Sequence, residues 1–154
     1  MSILVVGSVA YDSVKTAAGE RKDSLGGSAT YFSVASSYFA PVSLVAVVGD
    51  DFQNTHIGLL ESLGIDLSGL KQTRGKTFRW EGVYGEKEVN SRETISTQLN
   101  VFANFSPSLT SSQRTQPFLF LANIDPDLQL NVLQQMRPRP KLVALDTMNF
   151  WIES

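Results

Sequence analysis

Four carboxylates and one pair of adjacent glycines are the groups in this chain best suited by type and spacing to do chemistry. Asp12 lies just past the run Ile3-Leu4-Val5-Val6-Gly7; Asn123 follows Phe118-Leu119-Phe120-Leu121; Asp146 and Asn149 follow Leu142-Val143-Ala144-Leu145. The three apolar runs read as buried strands of a parallel sheet. Ligands of open α/β sheets bind beyond the carboxyl ends of such strands, and carboxylates and amides there suit hydroxyl-bearing ligands. Gly26-Gly27 opens a helical pattern. Glycine lets a ligand come close to the backbone, and a helix starting there would aim free N–H groups and a positive dipole end at it. Asp50 and Asp51 follow a second glycine turn at Gly49. Each feature also has a plainer reading. Asp12 would serve as a turn residue bonding its own backbone, and a GG pair alone marks an ordinary α/β crossover equally well.

The elements that must position these groups follow from periodicity. Ala29, Phe32, Ser36 and Phe39 fall on one helical face, the small Ser33, Ser36 and Ser37 let that helix lie close to a sheet, and Pro41 stops it. Val42 to Val48 is almost wholly apolar, as in a strand covered on both sides. Asn54 is placed to cap a helix carrying His56, Leu59, Leu60 and Leu63 on one face, with Gly64 as its stop. His56, the sole histidine, reads as a surface or capping residue, and no metal site can be built around it. Residues 76–84 and 88–98 are polar runs with aromatic and β-branched interruptions around Gly85 to Lys87. They predict a hairpin with a solvated face, outside the main sheet. Trp80 and Tyr84 on it could cover a ligand with their ring faces, or simply pack the hairpin or a subunit contact. Pro126 suits the first turn of a helix to about Met136, with Leu128, Val132 and Met136 on one face. Residues 142–145 read as another buried strand with no helix after it, so the sequence looks cut inside a βα unit.

Composition narrows the function classes. The 154 residues suffice for one domain with a real core, and 42% hydrophobic with 18% charged residues argues for a folded chain. The formal net charge is −2 and no basic run stands out, so a nucleic-acid partner is not expected. Without cysteine there are no disulfides, thiolate metal sites or cysteine nucleophiles. The first apolar run is far too short for a signal or membrane segment. A soluble, cytoplasmic protein is expected, with no membrane partner.

Taken together, these residues resemble the N-terminal half of a ribokinase-like (PfkB) carbohydrate kinase. The matching residues are the opening strand with Gly7 and Asp12, the Gly26-Gly27 pair with its Ser/Ala-rich helix, and Val47-Val48-Gly49-Asp50-Asp51-Phe52. Leu63-Gly64-Ile65-Asp66, the hairpin at 76–98 and Asp146 match as well. The resemblance runs in order along the whole chain. It implies an α/β fold with a mostly parallel sheet flanked by helices and a projecting β-hairpin lid inserted at about 74–100, incomplete because only the first half is present. The implied function is transfer of phosphate from ATP, with Mg, to a hydroxyl of a sugar or nucleoside. In such kinases the residue matching Asp12 bonds substrate hydroxyls, the GG pair lies against the sugar, and the lid closes over the substrate and often forms a homodimer contact. The substrate site expected here comprises Asp12, Gly26, Gly27, Tyr31, Asn123, Asp146 and Asn149, with Trp80 and Tyr84 in the lid.

The chain departs from the pattern in three places. Tyr31 stands where an asparagine usually contacts the substrate, which alters the hydroxyl-binding pattern and favours a different or larger substrate. The Gly-x-Gly-Asp motif that carries the family's general base is not among the 154 residues. The resemblance puts that base beyond Ser154, so no catalytic residue is assigned here, and no motif in the chain binds ATP or a metal. Asn90-Ser91-Arg92-Glu93 spells the family's metal-associated Asn-x-x-Glu but falls in the lid, where it reads as coincidence. A non-catalytic ligand-binding or dimerisation module is the alternative. A Rossmann-type nucleotide binder is disfavoured because Gly7-Ser8-Val9-Ala10 is not G-x-G-x-x-G.

Overall fold

The computed structural model describes residues 2–85 and 91–153, with the side chains of Asn149 and Phe150 outside the description. Two sheets organise the chain. The main sheet has five strands in the order β5-β4-β1-β8-β9, where β1 is Ile3–Val6, β4 Val42–Gly49, β5 Ile65–Thr73, β8 Phe118–Leu121 and β9 Leu142–Leu145. Every neighbouring pair in it is parallel. The second sheet has four strands in the order β3-β2-β6-β7, where β2 is Ala10–Thr16, β3 Gly19–Gly26, β6 Phe78–Tyr84 and β7 Arg92–Gln98. The helices are α1 (Ser28–Ser37), α2 (Asn54–Ser62), α3 (Ser111–Arg114), α4 (Pro126–Gln135) and α5 (Asn149–Ile152), with a 3-10 turn at Asn100–Asn104. Among the described residues no helix is long and apolar enough to cross a membrane.

Alternation along the central strands separates two cores, because successive side chains of a strand point to opposite faces. Leu4 and Val6 of β1, with Val45 and Val47 of β4, pack on one side with Val132 of α4, with Met136 just past its end, and with Phe102 and Phe105. Val5, Leu44, Ala46 and Val48 pack on the other with Ala29 of α1 and Leu60 of α2. All eight residues of β4 are buried, as an apolar strand covered on both faces requires. Pro126 opens α4 with Asp125 capping it, its carboxylate accepting from the Asp127 N–H at 2.8 Å.

Several local expectations are corrected. The polar stretch after Asp12, given no element from the sequence, is the β2–β3 hairpin, whose solvated faces removed the apolar signal. Residues 65–73 form β5, an edge strand with mixed burial. Asn54 is the first residue of α2 and Gln53 its cap, without a side-chain bond. Leu59 is exposed, and Ile57 packs on the core instead, with Leu60 and Leu63. Phe39, 90% exposed, lies beyond the end of α1 and shares no buried face with Ala29. β9 is not buried: Leu142 and Leu145, on the outermost strand, are 59% and 60% exposed. A short helix, α5, does follow it, where none was expected before Ser154. Ser154 itself lies outside the described residues, as does anything the resemblance places beyond it. The hairpin of 78–98 lies outside the main sheet as expected, but it is half of a larger sheet, since β6 also pairs in parallel with β2.

Candidate functional site

All five main strands run the same way, so their carboxyl ends share one edge, and the second sheet stands over it. The connection is short: β1 ends at Val6 and β2 begins at Ala10. Between them Gly7 passes so close to Ala122 that a Cβ would collide with that alanine's own. Ser8 then ties down the start of α1. Its carbonyl accepts from the Ala29 N–H at 3.1 Å and its hydroxyl from the Ser28 N–H at 3.2 Å. The Gly27 N–H donates to Asp12 Oδ2 at 3.4 Å. Gly27 needs its glycine twice over: its φ is 92°, and a Cβ would run into the Ser8 carbonyl. The first N–H groups of α1 are therefore partnered inside the protein rather than free, which corrects the expectation of an open helix start. What this region offers a ligand is the Asp12 carboxylate that the Gly27 N–H orients.

A cavity of about 920 Å³ lies between the carboxyl edge and the second sheet. Asp12, Gly27, Tyr31, Asn123 and Asp146 line it, with Trp80 and Tyr84 on its roof. Gly26 sits behind this lining, directly against the Asp12 carboxyl group, where no Cβ fits. Asn149 opens α5, and its side chain lies outside the described residues. So does Asn90 of the Asn-x-x-Glu stretch. Asn123 Oδ1 is buried and has no hydrogen-bond partner among the described residues, an acceptor open to a ligand donor. Asp146 is fixed through its backbone: its N–H donates to Leu121 O at 2.9 Å and its carbonyl accepts from Gln129 Nε2 at 3.1 Å.

Electrostatics differ between the carboxylates. Burial raises the Asp12 pKa, and the Gly27 N–H only partly offsets this. Burial also raises the Tyr31 phenol, with the Asp12 charge and Tyr84 adding to the effect. Asp51 does not line the cavity. Its Oδ1 accepts from both the N–H and the hydroxyl of Thr77 at 2.7 Å, and its Oδ2 meets Arg79 Nη1 at 2.8 Å. Burial pushes the Asp51 carboxyl up, but these partners outweigh it and hold the pKa below the ordinary carboxylate value. Arg79 also reaches Asp23 Oδ1 at 3.2 Å and lies over the Tyr11 ring, 5.1 Å from its centroid. This cluster bolts the root of β6 to the turn after β4. It is a structural joint, not a substrate contact.

Sequence reading expected Trp80 and Tyr84 of the second sheet over the ligand but missed the rest of that sheet's lining. Phe78, Trp80 and Tyr84 alternate along β6 and so face the same way, while Arg92, Thr94 and Thr97 of β7 join them. The i, i+2 spacing of the β6 aromatics was legible, but the cross-strand register that adds Asp12 and Val14 from β2 was not. Ser8 and Ser28 carry no motif and emerge only from the packing of the 7–9 loop on α1.

Comparison with known proteins was made on sequence and on structure. No protein-family model and no curated protein matches the sequence. Solved structures do match in fold. The nucleoside kinase of Methanocaldococcus jannaschii, described as an archaeal member of the ribokinase family, superimposes with a TM-score of 0.72 at 19% identity, over 94% of this chain and 52% of that one. Ribokinase from Cryptococcus neoformans var. grubii, in complex with ADP, gives 0.73 at 21% identity, over 96% and 49%. Fructokinase from Halothermothrix orenii gives 0.67 at 17%, over 95% and 57%. The chain thus spans about half the length of the structures it matches, and over that span it has the ribokinase-like fold.

Proposed function

We propose that this chain is the substrate-binding half of a kinase that phosphorylates a hydroxyl of a sugar or nucleoside. The observation that carries this reading is the convergence of Asp12 from β2 and of Asn123 and Asp146 from the ends of β8 and β9 onto one cavity roofed by the second sheet, in a ribokinase-like fold. Asp12 accepts hydrogen bonds from substrate hydroxyls, the Gly27 N–H holds its carboxylate in place, and Asn123 Oδ1 takes a further hydroxyl proton. The roof is the lid: closing it excludes water that would compete as phosphoryl acceptor. ATP and Mg²⁺ are the phosphate donor and ion this reaction calls for. Among the described residues no group of three His, Asp or Glu side chains could hold the ion, and the cavity offers no glycine-rich phosphate loop, so this chain's own residues are assigned only the acceptor side. The general base belongs, on this reading, to sequence beyond Ser154.

The test is equilibrium binding of a panel of sugars and nucleosides to the 154-residue chain. Asp12→Ala removes charge-assisted bonds of about 1.5–3 kcal/mol and should weaken the bound ligand roughly tenfold to a hundredfold. Unchanged affinity across the panel would overturn the assignment. The second reading is a ligand-binding or dimerisation module without catalysis. The 154 residues alone should not consume ATP; substrate-dependent turnover, lost in Asp12→Ala, would show that this half carries its own catalytic apparatus and would overturn both the non-catalytic reading and the placement of the base beyond Ser154.

A further inference from the structure

If Asp12 and Asn123 form the hydroxyl-binding end, as the kinase reading on which this step rests has it, the wall beside Asp12 is still unexplained. That wall is aromatic. Trp80 and Tyr84 face the cavity from the lid, and Tyr31 faces it from the first turn of α1. The cavity of about 920 Å³ lies near the top of the range for drug-sized ligands, about 300–1,000 Å³, and far exceeds a free pentose.

Trp80 is held in place by its neighbours. Its Nε1–H donates to Thr94 Oγ1 at 3.3 Å on the facing strand. The Arg92 guanidinium lies 5.9 Å from the ring centroid, within cation–π range. The benzo end of the indole covers Gly82, two residues on along the same face of β6, where any Cβ would collide with the ring. Gly82 thus leaves a seat that only this residue type provides. In the parallel pairing of β2 with β6, Asp12 stands directly opposite Trp80. Adjacent strands lie about 4.8 Å apart, so the hydroxyl-binding carboxylate and the indole are next-door neighbours on one surface.

We infer that Trp80, seated by Gly82, Arg92 and Thr94 beside Asp12, with Tyr31 lining the same cavity, is the platform for a flat ring, and that the ligand is a polyol joined to such a ring rather than a free sugar. A ligand whose hydroxyls bond Asp12 carries its ring straight onto the indole. Tyr31, where an amide would have offered polar contacts, supplies a second ring and a phenol. Stacking on a fixed aromatic face is largely indifferent to ring substituents, so the platform selects the class of ligand and leaves identity within the class to the polar end.

Isothermal titration of the 154-residue chain with adenosine, adenine and D-ribose tests this. Adenosine should bind about tenfold or more tighter than ribose. Trp80→Ala should erase that advantage and leave ribose affinity unchanged, and Trp80→Phe should keep most of it. Asp12→Ala should weaken adenosine and ribose alike. Equal affinity for adenosine and ribose, an equal loss for both in Trp80→Ala, or no binding of any of the three at millimolar concentration would overturn the inference. Adenine binding as tightly as adenosine, with no response to Asp12→Ala, would instead refute the hydroxyl-binding role of Asp12 and the kinase reading with it.

Discussion

The two sheets obey opposite rules. The main sheet is parallel, and its central strands are apolar on both faces, closed between two cores. In the second sheet β3 and β7 are mostly exposed, and its inner face looks into a cavity instead of a core. The first owes its stability to burial. The second is held by ladder hydrogen bonds, by β2's continuity with β1, and by the Arg79–Asp51 joint at its root. A buried scaffold and a cavity cover are thus made from one element type with different side-chain patterns.

Three substitutions would break or sharpen this contrast, and they are ordered by expected effect. Leu44, fully buried on β4, should cost about 3 kcal/mol when changed to alanine. That lowers the melting temperature by roughly 10 °C in a chain of this size. A loss within experimental error in a denaturant melt would mean that the main sheet is not the seat of stability.

Asp51→Ala at the joint should cost about 2–3 kcal/mol, since it strands two Thr77 donors and leaves Arg79 with Asp23 as its remaining carboxylate partner. Its signature is acid sensitivity. The Asp51 pKa is depressed in the fold, so the folded chain binds fewer protons there than the unfolded one. That stabilising contribution is complete above the ordinary carboxylate pKa and is lost as pH falls through the depressed value. Asp12 acts in the opposite direction. Its pKa is raised, so its carboxyl favours folding most below the ordinary value, and that preference fades as pH rises through the folded pKa. Melting curves of Asp51→Ala between neutral and acid pH should therefore fall less steeply than those of the parent. A parallel fall would remove Asp51 from the account.

The smallest effect belongs to Ile95, half-exposed on β7. Its change to alanine should stay within about 0.5 kcal/mol. A loss as large as that of Leu44→Ala would show that the second sheet has a packed face after all.

The same contrast explains how much could be read from the sequence. β1, β4, β8 and α4 were legible because burial on a regular period leaves its mark on residue type. β2, β3 and most of β5 were not, because an exposed strand can be built from residues that also suit a loop. β9 misled for the converse reason: it is apolar, yet it stands at the edge of the sheet. In the site, Asp12, Asn123 and Asp146 were read from the strand-end rule and Gly27 from the glycine pair before a helix, and the structure gathers them on one cavity, although Asp12 stands inside β2 rather than in a loop past β1. Asp51 looked equally chemical from its glycine turn, and only the Thr77 and Arg79 contacts reveal its structural use.

The alternation of β6 has an evolutionary consequence. Residue 79 answers to the scaffold through Asp51 and Asp23, whereas 78, 80 and 84 answer to the cavity. Point mutations can therefore retune the inward set over generations without loosening the outward anchor, and ligand preference can drift while the hinge stays fixed. A single-residue insertion or deletion between Thr73 and Phe78 would exchange the two sets, turning Arg79 towards the ligand and Trp80 towards Asp51. Lineages carrying this strand should vary in its inward residues, keep Arg79, and hardly vary in the length of the loop before it.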